Sequence, residues 1–175
     1  MARQRTGSSR VARRGLLTVI MAGLAATSLM TPIAYLAPAF QLQQLDFAAM
    51  LGSLVTNQVA PSVSTPWLLG MLLHFVNGSL IFPVVYALVV YPRLGGPPWL
   101  RGVAYGVALW ALVQIVVMPL AGLGMFSSAT SRPGAALAWS FGTHVLYGAA
   151  LGALATRRVA RVLERRGRDA ARRAA

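Results

Sequence analysis

The sequence predicts an all-α protein, a bundle of four transmembrane helices. Four stretches of the 175-residue chain contain no Asp, Glu, Lys or Arg, namely residues 15–38, 66–91, 102–126 and 134–155. Each reaches the length of about 20 residues that a helix needs to cross about 30 Å of hydrocarbon. Hydrophobic residues make up 57% of the chain, so little sequence is left for a soluble domain.

The arginines predict how this bundle is oriented. Fifteen of the sixteen lie in the N-terminal segment 1–14, around the loop between the second and third spans, or in the C-terminal segment 156–175, and only Arg132 lies on the other side. Cytoplasmic loops carry an excess of Lys and Arg, so we expect both termini in the cytoplasm. The absence of lysine is typical of a GC-rich bacterial genome. We therefore expect a membrane domain, residues 15–155, in a bacterial inner membrane.

The positive charge of the chain is expected to contact lipid. A net charge of +13 would indicate nucleic-acid binding in a soluble protein. No aromatic residues are interleaved with the arginines of the two terminal segments, so we expect no nucleic acid as a partner. Basic segments next to a span bind anionic headgroups. The candidate lipid-binding residues are Arg157, Arg158, Arg161, Arg165 and Arg166.

The long connection between the first and second spans predicts a short amphipathic helix. Phe47, Met50, Leu51 and Leu54 have the spacing of one helical face. Asp46 stands where its side chain can cap the first free amides. The segment is too short to cross the membrane, so we expect an interfacial helix in this first outer loop, with its apolar stripe towards the lipid.

The two halves of the chain share a pattern. Gly15 and Pro32 of the first span match Gly102 and Pro119 of the third at one offset. This pattern predicts two parallel helical-hairpin repeats. The second and fourth spans each place a small residue, a histidine and a glycine on one face, in Gly70-x3-His74-x2-Asn77-Gly78 and in Ser140-x3-His144-x2-Tyr147-Gly148.

The chain has two histidines, and both lie inside predicted spans, where a polar ring needs a partner or a function. At 1.5 Å per residue, His74 lies about 12 Å and His144 about 15 Å from the outer ends of their spans. We expect the rings to face each other at one depth, with Asn77 and Gln114 as possible polar partners. The small residues expected to line a slot between them are Gly70, Gly78, Ser140 and Gly148.

Three interpretations of this pair remain open. The rings can be structural and hydrogen-bond across helices. They can bind haem b as axial ligands, because a planar macrocycle would need such a slot. They can also serve a soft metal or a proton relay. Met71 and His74 form a pair compatible with Cu(I), whereas Zn(II) would lack ligands in spans without Cys or carboxylates.

The sequence favours a non-enzymatic role. It contains no phosphate-binding glycine loop, no paired carboxylates and no nucleophile with a base beside it. We expect an auxiliary or scaffold component that contacts other membrane proteins or further copies of itself. The alternatives are electron transfer through haem or a soft metal, and a small oligomeric transporter or proton path.

Four short motifs resemble those of a known family. They are His74-Phe75-Val76-Asn77-Gly78, Trp99-Leu100-Arg101-Gly102, Val116-Val117-Met118-Pro119-Leu120-Ala121-Gly122 and His144-Val145-Leu146-Tyr147-Gly148. Through these motifs the chain, over residues 15–155, is similar to a family of uncharacterised bacterial four-helix membrane proteins, classified only as a domain of unknown function. The resemblance implies the four-helix membrane fold and brings no activity with it.

Overall fold

A computed structural model describes the backbone of residues 2–42 and 45–174 and the side chains of residues 15–42 and 45–155. The candidate lipid-binding arginines of segment 156–175 lie outside the described side chains. The described chain is 79% helical and has no strands. Its five helices are α1 (Ala2–Tyr35), α2 (Phe47–Thr56), α3 (Thr65–Val90), α4 (Pro98–Leu120) and α5 (Pro133–Ala174).

Three helices of the described chain are long and apolar enough to cross a membrane. They are Gly15–Tyr35 of α1, and α3 and α4 over their whole length. The expected fourth span is the first half of α5, where Ser140, Thr143 and His144 dilute the apolar residues. The all-helical prediction is confirmed, and a membrane-spanning role for α5 stays a prediction.

Two helices end earlier than the uncharged stretches predict. Helix α1 ends at Tyr35, and Pro38 lies in a following 3-10 turn, Ala37–Phe40. Helix α4 ends at Leu120, and Phe126 lies in a second 3-10 turn, Met125–Ser127. The uncharged stretches are therefore longer than the helices within them, because short apolar turns continue both.

Asp46 joins three helices at the outer end of the bundle. Its Oδ1 accepts a hydrogen bond from the amide of Ala49 at 3.0 Å, which confirms the predicted cap of α2. The Tyr35 hydroxyl of α1 donates to the same oxygen at 2.8 Å. Trp67 Nε1 of α3 lies 3.1 Å and 3.0 Å from the two carboxylate oxygens. This carboxylate therefore fixes α2 against α1 and α3.

Most of the apolar stripe of α2 faces other helices, which corrects the expectation that it faces lipid. Phe47, Met50 and Leu51 line a cavity between the helices and are half-buried. Gly52 packs directly against the carbonyl of Pro66 in α3, where a Cβ would clash. Leu54, the last residue of the stripe, remains 38% exposed.

Helices α3 and α4 each contain a π-helical turn just before a proline. The turn Asn77–Ile81 precedes Pro83, and the turn Val113–Val117 precedes Pro119. A proline ring clashes with the carbonyl four residues earlier and has no N–H to donate. A wider turn accommodates the ring without ending the helix, and such turns are frequent at functional sites.

The π turn of α3 leaves one carbonyl without a partner in its own helix. The amide of Phe82 bonds to Asn77 O instead of Gly78 O, and Pro83 has no N–H. The hydroxyl of Tyr147, from α5, donates to Gly78 O at 2.7 Å. The bond that α3 lacks is therefore supplied by α5.

Helices α4 and α5 approach each other backbone to backbone. Glycines on both helices form the contact, and a Cβ at any of them would meet a carbonyl oxygen of the neighbouring helix. Small residues permit such a close approach in membrane bundles. These glycines are Gly102, Gly106, Gly148 and Gly152.

Tyrosines fill the half of the bundle next to the loop between α3 and α4. Tyr86, Tyr105 and Tyr147 are almost fully buried and pack with Leu109 and Leu151. Below, this group of five residues is called the tyrosine core. Buried phenols need hydrogen-bond partners, and these three donate to backbone carbonyls. The other half of the bundle holds the cavity.

Candidate functional site

A cavity of about 190 Å³ lies between the tyrosine core and α2, and its surface is mostly apolar. His74 of α3 and His144 of α5 both line it. The structure therefore brings both predicted histidines to one site, as their similar depths suggested.

His74 is held by a threonine of α1. The Thr31 hydroxyl donates its proton to Thr27 O at 2.7 Å, and its oxygen lies 3.0 Å from His74 Nε2. A hydroxyl has one proton, so this oxygen must accept from His74 Nε2–H. His74 Nδ1 then keeps its lone pair. The ring also stacks on Phe47 of α2, with centroids 4.2 Å apart.

His144 is held by its own helix. Its Nδ1 lies 2.8 Å from the carbonyl oxygen of Ser140, which can only accept, so Nδ1 carries the proton. His144 Nε2 therefore keeps its lone pair. Within the described part of the chain, neither this nitrogen nor His74 Nδ1 has a hydrogen-bond partner. Each imidazole thus retains one free lone pair.

Gln114 bonds to serines and not to a histidine, which corrects its expected pairing. Ser127 Oγ donates to Gln114 Oε1 at 3.0 Å, and Gln114 Nε2 donates to Ser140 Oγ at 3.3 Å. Gln114 therefore reaches His144 only through Ser140, whose carbonyl holds that ring. The other expected partner, Asn77, lines the cavity.

Sequence reasoning missed Ser127, because it lies in a loop. Phe126 and Ser127 have positive φ angles of 52° and 59°, values that cost energy for residues other than glycine. This backbone turns Ser127 inwards until it is fully buried against Gln114. The polar residues of the 127–133 segment indicate a loop, and they do not indicate which of them enters the bundle.

Only part of the predicted slot is present. Gly78 and Ser140 line the cavity, as expected. Gly70 instead packs against the carbonyl of Ala48 in α2, and Gly148 packs against Gly102 in α4. Both glycines thus serve close helix packing. The shared small-His-Gly pattern leads to different neighbours in the two halves, and the repeat itself stays a prediction.

Three methionines line the cavity with the histidines. They are Met30 of α1, Met50 of α2 and Met118 of α4. Met71, singled out with His74 in the sequence, lies outside this set. The sequence spacing did not reveal these methionines, because each comes from a different helix and only the fold brings them together.

The size of the cavity limits what it can hold. Pockets for drug-sized ligands measure roughly 300–1,000 Å³, whereas apolar cavities of about 150 Å³ bind benzene or xenon. At about 190 Å³, this cavity suits a molecule or ion of a few atoms. The groups of the cavity lining that can contact such a ligand are imidazole nitrogens, hydroxyls and thioether sulfurs.

A family model described as "Family of unknown function (DUF6789)" matches residues 13–163. This match confirms the expected relationship to an uncharacterised domain. No match was found among the curated proteins or among the solved structures.

Proposed function

The chain belongs to this family of unknown function, DUF6789, and we propose from the cavity that it is a non-enzymatic membrane protein that holds a small ligand between His74 and His144. One observation carries the proposal. Both imidazoles line an apolar cavity and keep a lone pair that no described residue uses. A polar ring in this setting is costly unless it is paired or functional.

We further propose that α5 is a fourth span. Trp139 Nε1 donates to Ala34 O of α1 at 3.2 Å, and Tyr147 donates to Gly78 O of α3. Contact with both candidate spans supports placing α5 beside them in the membrane. The arginine distribution supports a bacterial inner membrane with both termini in the cytoplasm.

Haem b is the alternative ligand, and the cavity volume favours a smaller one. A macrocycle exceeds a cavity of about 190 Å³, so binding it would require α3 and α5 to separate. Tyr147 of α5 would lose its hydrogen bond to Gly78 O of α3 in such a movement. The Nδ1–H bond of His144 to a carbonyl does resemble the support that metal-binding histidines receive.

A proton path is the other alternative, favoured by the polar groups beside His144. Ser140, Gln114 and Ser127 form a buried hydrogen-bonded chain towards the outer loops. In the opposite direction the tyrosine core fills the bundle. A continuous path through one copy would have to cross these phenols, so the geometry favours binding over transport.

The proposed role is auxiliary, with partners in the membrane. Anionic lipid headgroups are the proposed partners of the arginine segments, and other membrane proteins or further copies are the proposed partners of the apolar outer faces. A pure scaffold would need neither the cavity nor the free imidazole nitrogens, which is why we favour ligand binding.

Xenon is a suitable probe of the cavity, because it enters small apolar cavities without specific chemistry. The protein is purified in detergent with labelled methionine methyl groups and labelled imidazole nitrogens. NMR then follows the chemical shifts of these groups under xenon pressure. We expect shifts at Met30, Met50, Met118 and both histidines. Met21 and Met125 are 58% and 53% exposed and report non-specific effects.

A filling variant provides the matched control. Ala136 lines the cavity and is 1% exposed, whereas Ala138, two residues further along α5, is exposed. Ala136→Phe should abolish the xenon shifts, and Ala138→Phe should leave them intact. Equal shifts at the cavity and the surface methionines of the wild type would overturn the proposal.

A further inference from the structure

We propose that the ligand of this cavity is a soft monovalent metal ion, Cu(I), bound by imidazole nitrogens and thioether sulfurs. The inference rests on the proposed function, because it names the ligand of the same cavity. The side chains proposed as candidate donors all line this cavity: His74, His144, Met30, Met50 and Met118.

The first argument is the origin of the donors. Each of the five helices contributes one: Met30 from α1, Met50 from α2, His74 from α3, Met118 from α4 and His144 from α5. The chain has seven methionines, and three of them meet at the cavity that holds its two histidines. A site that draws one donor from every helix forms only in the folded bundle.

The second argument is the protonation of the rings. His144 donates Nδ1–H to a backbone carbonyl, and His74 donates Nε2–H to Thr31. Metal-binding histidines usually donate their second N–H to such a group, which fixes the ring and leaves the other nitrogen free for the metal. Both rings therefore have the support that ligation requires before any ion enters.

The third argument concerns which metals the donors suit. The described residues contain no cluster of three His, Cys, Asp or Glu side chains. Mg²⁺ and Ca²⁺ need oxygen ligands, and structural Zn²⁺ sites use four Cys, His or carboxylate ligands. Thioethers are soft ligands that select Cu(I), and imidazole also suits copper.

The fourth argument is charge. Asp46, the acidic residue nearest to this end of the bundle, is occupied by Tyr35, Trp67 and the amide of Ala49. The cavity therefore offers neutral ligands in an apolar surrounding. The desolvation cost of an ion rises with the square of its charge, so a single positive charge is tolerated here far better than a double one.

Methionine also fills gaps in apolar cores, so the test must separate sulfur donation from packing. In the first measurement, the full-length protein in detergent competes with a chromogenic chelator for Cu(I), which ascorbate keeps reduced. In the second, Ag(I) replaces Cu(I) in a titration, because Ag(I) does not change its oxidation state. We expect one tightly bound ion per chain. Substitution by leucine keeps the volume of methionine and removes its sulfur.

Met30→Leu, Met50→Leu and Met118→Leu should each weaken binding by about tenfold or more, the size of effect seen when partners in a metal site are removed. Met21→Leu changes an exposed methionine in the same helix as Met30 and should bind like the wild type. Unchanged binding in the triple variant Met30→Leu, Met50→Leu, Met118→Leu would overturn the proposal.

X-ray absorption of the copper-loaded wild type gives an independent readout if a variant fails to fold. Sulfur together with nitrogen in the first coordination sphere is expected, and nitrogen or oxygen alone would refute thioether ligation. Xenon shifts without stoichiometric Cu(I) binding would leave the cavity proposal standing and refute copper as its ligand. If neither xenon shifts nor Cu(I) binding were observed, the cavity proposal and the copper proposal would both be refuted.

Discussion

The hydroxyl of Tyr147 supplies a hydrogen bond that α3 cannot make within itself. The π turn and Pro83 leave Gly78 O without a helical donor, and Tyr147 donates to it from α5. An unpaired carbonyl in a water-free interior destabilises the folded state, so a single side chain here contributes to the integrity of another helix.

Tyr147→Phe should lower the free energy of unfolding by about 1 kcal/mol, in the range measured for buried hydrogen bonds in membrane proteins. Tyr105→Phe is the matched control. Tyr105 donates to Phe82 O, but that carbonyl also accepts from the amide of Tyr86, so it keeps a partner. Thermal unfolding in detergent compares the two. A loss for Tyr105→Phe equal to that for Tyr147→Phe would contradict the argument.

Single residues were predictable from sequence where their contacts are local. Asp46 caps α2, as the sequence predicts. Thr27 and Thr31 also bond locally, to the carbonyl one turn earlier, as threonines in helices commonly do. The pairing of Thr31 with His74 was not predictable, because it joins residues 43 positions apart. Ser127 was missed for a different reason, since its position depends on a strained loop.

At the scale of elements, the helix faces followed from periodicity, whereas their neighbours did not. Gly148 stands on the predicted face with His144, yet it packs against α4. The stripe of α2 is apolar as predicted, yet it lines the cavity. A periodic pattern identifies which residues share a face, but the packing of the whole bundle decides what that face meets.

The close approach of α4 and α5 can be tested on a pair of glycines in α5. Gly148→Ala places a Cβ against Gly102 O, so we expect a loss of stability of about 1–3 kcal/mol, typical of overpacking. Gly142→Ala adds a Cβ with nothing within 4 Å, and should leave stability unchanged or slightly raised. Thermal unfolding measures both, and similar losses would mean that the helices do not depend on this contact.

At the scale of the whole molecule, the uncharged stretches predicted the helical class and four spans, and three described helices are long and apolar enough to cross a membrane. The proposed fourth span, α5, is less clear from hydropathy, because the residues that dilute its apolar character include Ser140 and His144, which line the cavity. Polar side chains that line a cavity thus weaken the hydropathy signal of the helix that carries them.

Reporter fusions test the proposed topology. Alkaline phosphatase fused after residue 175 should be inactive, because the arginine distribution predicts that this end lies in the cytoplasm. A fusion after Thr130, in the loop on the opposite side, should be active and shows that the reporter can fold. An active alkaline phosphatase after residue 175 would mean that the protein has the orientation opposite to the one proposed.

The C-terminal arginines should bind anionic membranes through charge. Near such a surface each arginine contributes about 1 kcal/mol, and salt screens the attraction. A peptide of residues 156–175 should sediment with anionic vesicles and dissociate as salt rises. Neutral vesicles are the control, and equally strong binding to them would indicate that charge is not responsible.

Helix α5 completes what the four helices before it begin. Translation delivers α5 after those four, and with it come His144 and the donor to Gly78 O. Before α5 is made, a nascent chain carries an open backbone carbonyl and a solitary histidine in α3. A chain interrupted before residue 133 therefore lacks the α5 side of the cavity, and its unsatisfied polar groups distinguish it from a chain that contains α5.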